Sequence, residues 1–327
     1  MFLALTVTGL QSSTTKFPMK NLVFGKDGQL GRAFQLALGD GDSIFIGRQE
    51  CDLSNSRAIL ECLHEINPDC IINAAAYTAV DKAEEEKEKE TAFTVNALAL
   101  KALAEYCAAH QKKLIHFSSD YVFDGMKSSP YVESDLCMPL SVYGQSKYAG
   151  ELAIIEAFAS QPMPLGKARG QYSILRTSWV YGDGANFIRT ILRLAKERST
   201  LNIVADQFGV PTSTDWLAEL TIAVLQESQW VSGVYHAVPA GRTSWYELAR
   251  FVIEHAQSLG AQFALDVDQI HPIPASDYPL PAKRPMNSQL STRKLADALP
   301  SCQNLLAQDW KISVESYLLN LKSQGLL

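Results

Sequence analysis

Asn21-Leu-Val-Phe-Gly25-Lys-Asp-Gly28-Gln-Leu-Gly31 is a short apolar strand run that passes through three glycines into a helical pattern, Ala33 to Leu38. In that order the glycines have separate uses: the first permits a tight turn, the second lets a pyrophosphate approach the backbone, and the third lets helix and strand pack closely. A phosphate would rest on the N-terminus of the helix. The spacing is G-x-x-G-x-x-G, not the general G-x-G-x-x-G, so the sequence strand, glycine turn, helix carries the reading more than the spelling does. Gly25, Gly28, Gln29, Leu30 and Gly31 become candidate cofactor-binding residues, against a purely structural glycine turn. The expected fold is α/β, a Rossmann-type doubly wound parallel sheet with a smaller mixed α/β substrate-binding domain.

Outward from that turn, a second strand, Ser43-Ile-Phe-Ile46, ends in Gly47-Arg48 where an acidic residue would hold a ribose 2′-hydroxyl. An arginine there suits a 2′-phosphate, so NADP(H) is the expected cofactor and NAD(H) the alternative. A helix from about Ser56 to Ile66 leads to the strand Asp69-Cys-Ile-Ile-Asn73 and then to Ala74, Ala75, Ala76 and Tyr77. Small side chains at a parallel strand end leave room for a flat cofactor. The run Asp81 to Glu90 mixes charges at i,i+4 and reads as a solvated helix face. Within the helix Phe93 to His110 that follows, Asn96 either bonds backbone or lines the site.

The strand Lys113 to Phe117 delivers Ser118 and Ser119 to its carboxyl end, where open parallel sheets bind ligands. The Ser119 hydroxyl suits a carbonyl oxygen that becomes an alkoxide, although a turn or N-cap serine reads equally well. Tyr143 and Lys147 then fall four apart on one helix face. An ammonium beside a phenol stabilises the phenolate and lowers its pKa, which makes the pair a candidate general acid.

The chain has 327 residues, 47% hydrophobic and 20% charged, as expected of a globular protein of one large or two joined domains. A formal net charge of -6 offers no footprint for nucleic acid or an anionic membrane. Six cysteines without a C-x-x-C pair and dispersed histidines without H-E-x-x-H predict no metal site and a reducing, cytoplasmic setting. Residues 1–18 read as an N-terminal extension, too short in its apolar run to span a bilayer. Residues 19–180 read as the dinucleotide-binding domain with a returning segment at about 202–232, and 181–201 with 233–327 as the substrate-binding domain. Gln161 to Gly170 reads as a turn-rich surface insertion.

With Asp206-Gln-Phe-Gly-Val-Pro-Thr212, Arg176-Thr-Ser-Trp-Val-Tyr-Gly182 and Arg284-Pro285 added to these motifs, everything after Met19 resembles the dTDP-4-dehydrorhamnose reductase family of extended short-chain dehydrogenase/reductases. The resemblance implies Ser119, Tyr143 and Lys147 as catalytic triad and Asp52 and Leu53 beside the adenine. It also implies Val80, Ser119, Tyr121, Trp179 and Arg284 on the substrate side, with Trp179 stacking on the sugar and Arg284 on its pyrophosphate. The implied substrate is a nucleotide-sugar, dTDP-4-dehydro-L-rhamnose. Ser119 stands where relatives commonly carry Thr, and Tyr77 where many carry His. Ala33 replaces a glutamate that bridges some relatives through a metal, which leaves monomer or homodimer open. A sugar-nucleotide dehydratase would need a second acid after Asp120, where Tyr121 stands. A 4-epimerase, or a regulatory subunit similar to the beta subunit of methionine adenosyltransferase, is the alternative.

Overall fold

The computed structural model describes residues 19–39, 41–160, 170–227 and 231–327. The expected N-terminal extension and residues 161–169 of the expected insertion lie outside them. The apolar runs of the sequence form β1 (Asn21–Phe24), β2 (Ser43–Ile46), β3 (Cys70–Asn73), β4 (Lys113–Ser119) and β5 (Gln171–Thr177). They lie side by side in the order β2, β1, β3, β4, β5, with Gly233–His236 as the sixth strand beyond β5, and every pairing is parallel. The chain turns outward from β1 to β2 and then crosses back to β3, so the strand order reverses between β1 and β3. The crevice beyond the carboxyl ends of those two strands is where such sheets take ligands.

The helices are α1 (Gln29–Leu38), α2 (Ser56–Ile66), α3 (Glu86–Phe93), α4 (Ala99–Ala109), α5 (Val142–Ala159), α6 (Phe187–Glu197), α7 (Thr214–Gln226) and α8 (Trp245–Ser258); apolar stripes at helical spacing mark α1, α2, α6 and α8, while the charged α3 buries only Ala92. One face of the sheet is covered by α1 and α7, packed through Phe34, Trp216 and Leu220, and by Leu295, Leu299 and Leu306 from the C-terminal part. The other face is covered by α2, α4 and α5 through Ile59, Leu103 and Ile154. Burying each such side chain contributes roughly 1.5–3 kcal/mol. Asn55 caps α2 by accepting from Arg57 N and Ala58 N, worth about 1 kcal/mol.

A smaller unit gathers α6, α8 and the helix Trp310–Ser323 around Ile191, Val252 and Leu318, with the strand Leu201–Val204 paired to Ile270–Ile273 at its side. Two pairings cross the domain division expected from sequence. Leu201–Val204 joins the smaller unit by pairing with Ile270–Ile273, and Gly233–His236 joins the main sheet by pairing parallel with β5. The expected single helix Phe93 to His110 contains a π-turn at Thr94–Leu98, which α4 then continues. Among the described residues, no helix is long and apolar enough to cross a membrane.

Candidate active site

A cavity of about 1100 Å³ opens at the carboxyl ends of β1, β3 and β4 and runs under α8 of the smaller unit. Its first wall is the glycine turn. Gly25 has φ of +88°, a left-handed conformation that favours glycine, and a Cβ there would meet Ala75 N at 2.7 Å. A Cβ on Gly31 would stand 2.0 Å from the Gly25 carbonyl, so α1 starts against the turn only because Gly31 has no side chain. Gly28 is the N-cap of α1 with no side-chain cap, which leaves first-turn amides directed at the cavity. Gly25, Gly28, Gln29 and Leu30 line the wall, while Gly31 lies behind it. The small residues Ala74, Ala75 and Ala76 at the end of the adjacent β3 continue the lining beside it. This cradle fits a dinucleotide pyrophosphate.

Beyond β2 the rim carries both signs of charge. Arg48 is exposed and pairs with Asp52 at 3.6 Å, while Lys26 pairs with Glu50, whose carboxylate also accepts from Gly47 N at 2.9 Å. Arg48, Asp52 and Leu53 all line the cavity, with Cys51 between them.

The floor is built from β4 and α5. Ser141 caps α5 by accepting from Gly144 N, which starts the helix in time to set Tyr143 and Lys147 on its cavity-facing side. Ser119, the last residue of β4, donates to Asp120 Oδ1 at 2.9 Å and accepts from Tyr121 N at 3.2 Å. Ser119, Asp120, Tyr121, Tyr143 and Lys147 line one wall, and the Tyr121 ring stands edge-on to Tyr143 at 5.5 Å. Lys147 is buried and donates to the Phe117 carbonyl at 2.6 Å.

The electrostatics differ from the sequence expectation in one respect. Tyr143 faces the cavity, but its phenol lies deep among protein atoms. That desolvation, with the Asp120 charge, pushes its pKa up to about 12, offset only in part by the nearby Ser119 hydroxyl. Lys147 was expected to draw the phenol down, but its ammonium is aimed at the Phe117 carbonyl instead. Burial brings Lys147 itself down to about 8, opposed by the Glu151 charge. Burial likewise raises Asp120 to about 6 against its hydrogen bonds from Ser288 and Ser119. The phenol is therefore firmly protonated at neutral pH, the state a proton donor requires.

Of the expected substrate-side residues, Val80, Ser119, Tyr121 and Trp179 line the cavity. Trp179 has φ of +46°, uncommon and strained for a bulky residue. Its indole stacks on Trp245 at 3.6 Å between ring centres. Arg284 is not among the lining residues, but its charge reaches the phenol of Tyr121, which is, and its guanidinium grips both carboxylate oxygens of Asp81 at 2.7 Å. Asn96 takes the backbone role, since its side chain bonds the amide and carbonyl of Tyr77 and the Ser146 hydroxyl, tying the β3 exit to α5. Trp245, Thr177 and Ser178 were missed by sequence reasoning. Ser178 precedes Trp179 in a motif already singled out; Trp245 lies within the Ser244 to Glu247 capping box, which marks a helix start and carries no hint of a ligand.

Comparison with known proteins agrees with this geometry. Residues 19–322 match the family model described as RmlD substrate binding domain. The chain is 40% identical over 309 residues to the dTDP-4-dehydrorhamnose reductase of Escherichia coli K12, covering 92% of this chain and 97% of that protein. A crystal structure of a dTDP-4-dehydrorhamnose reductase from Clostridium acetobutylicum superposes with a TM-score of 0.81 at 32% identity, covering 93% of this chain and 100% of that one. The Bacillus anthracis dTDP-4-dehydrorhamnose reductase, solved in complex with NADP, superposes with a TM-score of 0.80 at 30% identity, covering 92% and 99%. A doubly wound parallel sheet with a glycine cradle and a Ser, Tyr, Lys floor, matched along nearly its whole length, places this chain in the RmlD substrate-binding-domain family of dTDP-4-dehydrorhamnose reductases.

Proposed function

We propose that this protein reduces dTDP-4-dehydro-L-rhamnose to dTDP-L-rhamnose with NADPH. The observation that carries the reading is a single cavity joining the glycine cradle to Ser119, Tyr143 and Lys147, in a chain whose curated relatives are dTDP-4-dehydrorhamnose reductases. The cradle at Gly25 to Gly31 would hold the pyrophosphate on the α1 amides, Arg48 the 2′-phosphate, and Ala74 to Ala76 would leave space for the cofactor's flat rings. NADPH bound there supplies the hydride for the sugar C4.

The chain's own residues do the rest. Tyr143, protonated in its desolvated position, donates a proton to the C4 oxygen. Lys147, anchored on the Phe117 carbonyl, would orient the nicotinamide ribose. In this structure the Ser119 proton is directed at Asp120, so binding the reacting oxygen requires that hydroxyl to rotate toward the cavity. Trp179, backed by Trp245, offers an apolar face to the sugar ring. A reducing cytoplasmic setting accords with six cysteines that are all free thiols.

Oxidation of NADPH by the purified protein with dTDP-4-dehydro-L-rhamnose, and identification of dTDP-L-rhamnose as product, tests the proposal. Protein that binds NADPH yet leaves the 4-keto sugar unreduced, or that only interconverts C4 epimers, overturns it.

A further inference from the structure

Beneath Lys147 lie two buried polar residues for which the chemistry above has no use. Asn73 ends β3 and His116 is its partner across the parallel pairing with β4. Asn73 Nδ2 stands 3.2 Å from His116 Nδ1, and His116 Nε2 stands 3.1 Å from Lys147 Nζ. None of the three residues is more than 2% exposed.

The protons in this chain can be assigned by hydrogen-bond logic. Asn73 Oδ1 accepts from Ala75 N at 3.2 Å, which turns the amide NH2 toward the imidazole. An NH2 group only donates, so Nδ1 must present its lone pair, and a neutral ring then carries its single proton on Nε2, directed at Lys147. Lys147 already donates to Phe117 O. With an ammonium at Nζ, the contact to His116 sets N–H against N–H; with an amine, Nζ accepts from Nε2–H and every group is satisfied. The other tautomer suits the ammonium but sets Nδ1–H against the Asn73 NH2. The triad is therefore one proton overfull whenever Lys147 is charged.

We propose that His116, oriented by Asn73, is a positioning residue that sets the protonation equilibrium of Lys147 by presenting Nε2–H to Nζ. It rests on the reading of Lys147 as part of a reductase site. Burial, with the Lys147 charge, holds the His116 pKa well below that of a free imidazole, so the ring is neutral. Of the other ionisable groups around Lys147, Glu151 lies one turn along α5 with its charge taken up by Arg176 from β5. Tyr143 lies one turn before it, and Asp120 beyond β4 acts on that phenol. His116 is the one hydrogen-bonded to Nζ.

Long-range proton–nitrogen correlation spectra of the histidine-labelled full chain, with His116 assigned by its loss in His116→Gln, read the tautomer directly. The expected result is a neutral ring protonated on Nε2 from mildly acidic to mildly alkaline pH. A proton on Nδ1, or a ring that titrates as a free histidine does, overturns the proposal. Asn73→Asp substitutes an oxygen that accepts Nδ1–H, so Nε2 gains a lone pair for the ammonium. The alkaline limb of NADPH-driven reduction should then move up by at least about one pH unit, together with the change of tautomer. A limb that stays in place in folded Asn73→Asp, or that moves while the ring keeps its proton on Nε2, overturns the tautomer mechanism. Should that variant not fold, the wild-type spectrum decides. Wild-type protein inert toward the sugar nucleotide sinks the reductase reading alone, because the tautomer is read without turnover.

Discussion

The rim of the cavity beyond β2 and its floor at β4 and α5 both carry charge, but in opposite conditions. At the rim Arg48 keeps 82% of its side chain in solvent and shares a loose pair with Asp52, where water and salt screen each interaction. At the floor Lys147 is 2% exposed and Arg176 grips a Glu151 that is fully buried, so each charge depends on a defined partner. The difference teaches where function and stability coincide. On the proposed reading a change at the rim alters which ligand binds and leaves the fold alone, whereas a change at the floor disturbs the packing around the proposed site, because Lys147 and Glu151 both tie α5 to the sheet.

The sharpest way to break this contrast is Glu151→Gln, which leaves the Arg176 guanidinium buried without its charge partner. Stability should fall by about 3–5 kcal/mol in denaturant unfolding; a loss below about 1 kcal/mol, the ordinary worth of a surface pair, would erase the distinction. Next comes pH. The folded pKa of Lys147 is about 8 against 10.5 for the free side chain. Between those values the unfolded chain binds the extra proton, so stability rises with pH across that window, and the penalty is fully present below about pH 8. The difference amounts to roughly 3 kcal/mol. Wild type compared with Lys147→Met across the same window isolates it, and parallel pH curves for the two would refute it. Tyr143→Phe removes the proton donor and should lower the rate about 10²-fold or more, with NADPH affinity measured by fluorescence titration nearly unchanged. Turnover at the wild-type rate would remove Tyr143 from the mechanism. Smallest is the rim itself: Arg48→Ala should weaken NADPH about tenfold, near the low end for a charged contact because the site is wet, with NADH affinity and unfolding midpoint unmoved. Equal losses for both cofactors would show that Arg48 does not read the 2′-phosphate.

The sheet was legible because its signals are local. Apolar runs of four to seven residues, each ending in glycine, alanine or serine, announce both a buried strand and the ligand edge at its end. Tyr143 and Lys147 were legible for the same reason, since one helix turn separates them. What escaped notice depends on contacts across long stretches of chain. Arg284 meets Asp81 from 203 residues away, and nothing in either motif announces a partner already engaged. His116 reads as one more residue of a buried strand until β3 sets Asn73 on one side of it and α5 sets Lys147 on the other. The direction of the Tyr143 shift was missed because spacing gives proximity, while the pKa depends on desolvation and on where the ammonium points.

The stacked indoles have an optical consequence. Trp179 leaves β5 at the edge of the nucleotide-binding unit and Trp245 opens α8 of the smaller one, and their rings lie 13° from parallel. Chromophores that close share their excited states, so the pair should give an exciton couplet in circular dichroism that neither ring gives alone. Trp245→Phe should abolish it with the far-ultraviolet helix signal intact. The couplet would then report, without any label, whether the two units keep their registration when a ligand enters between them.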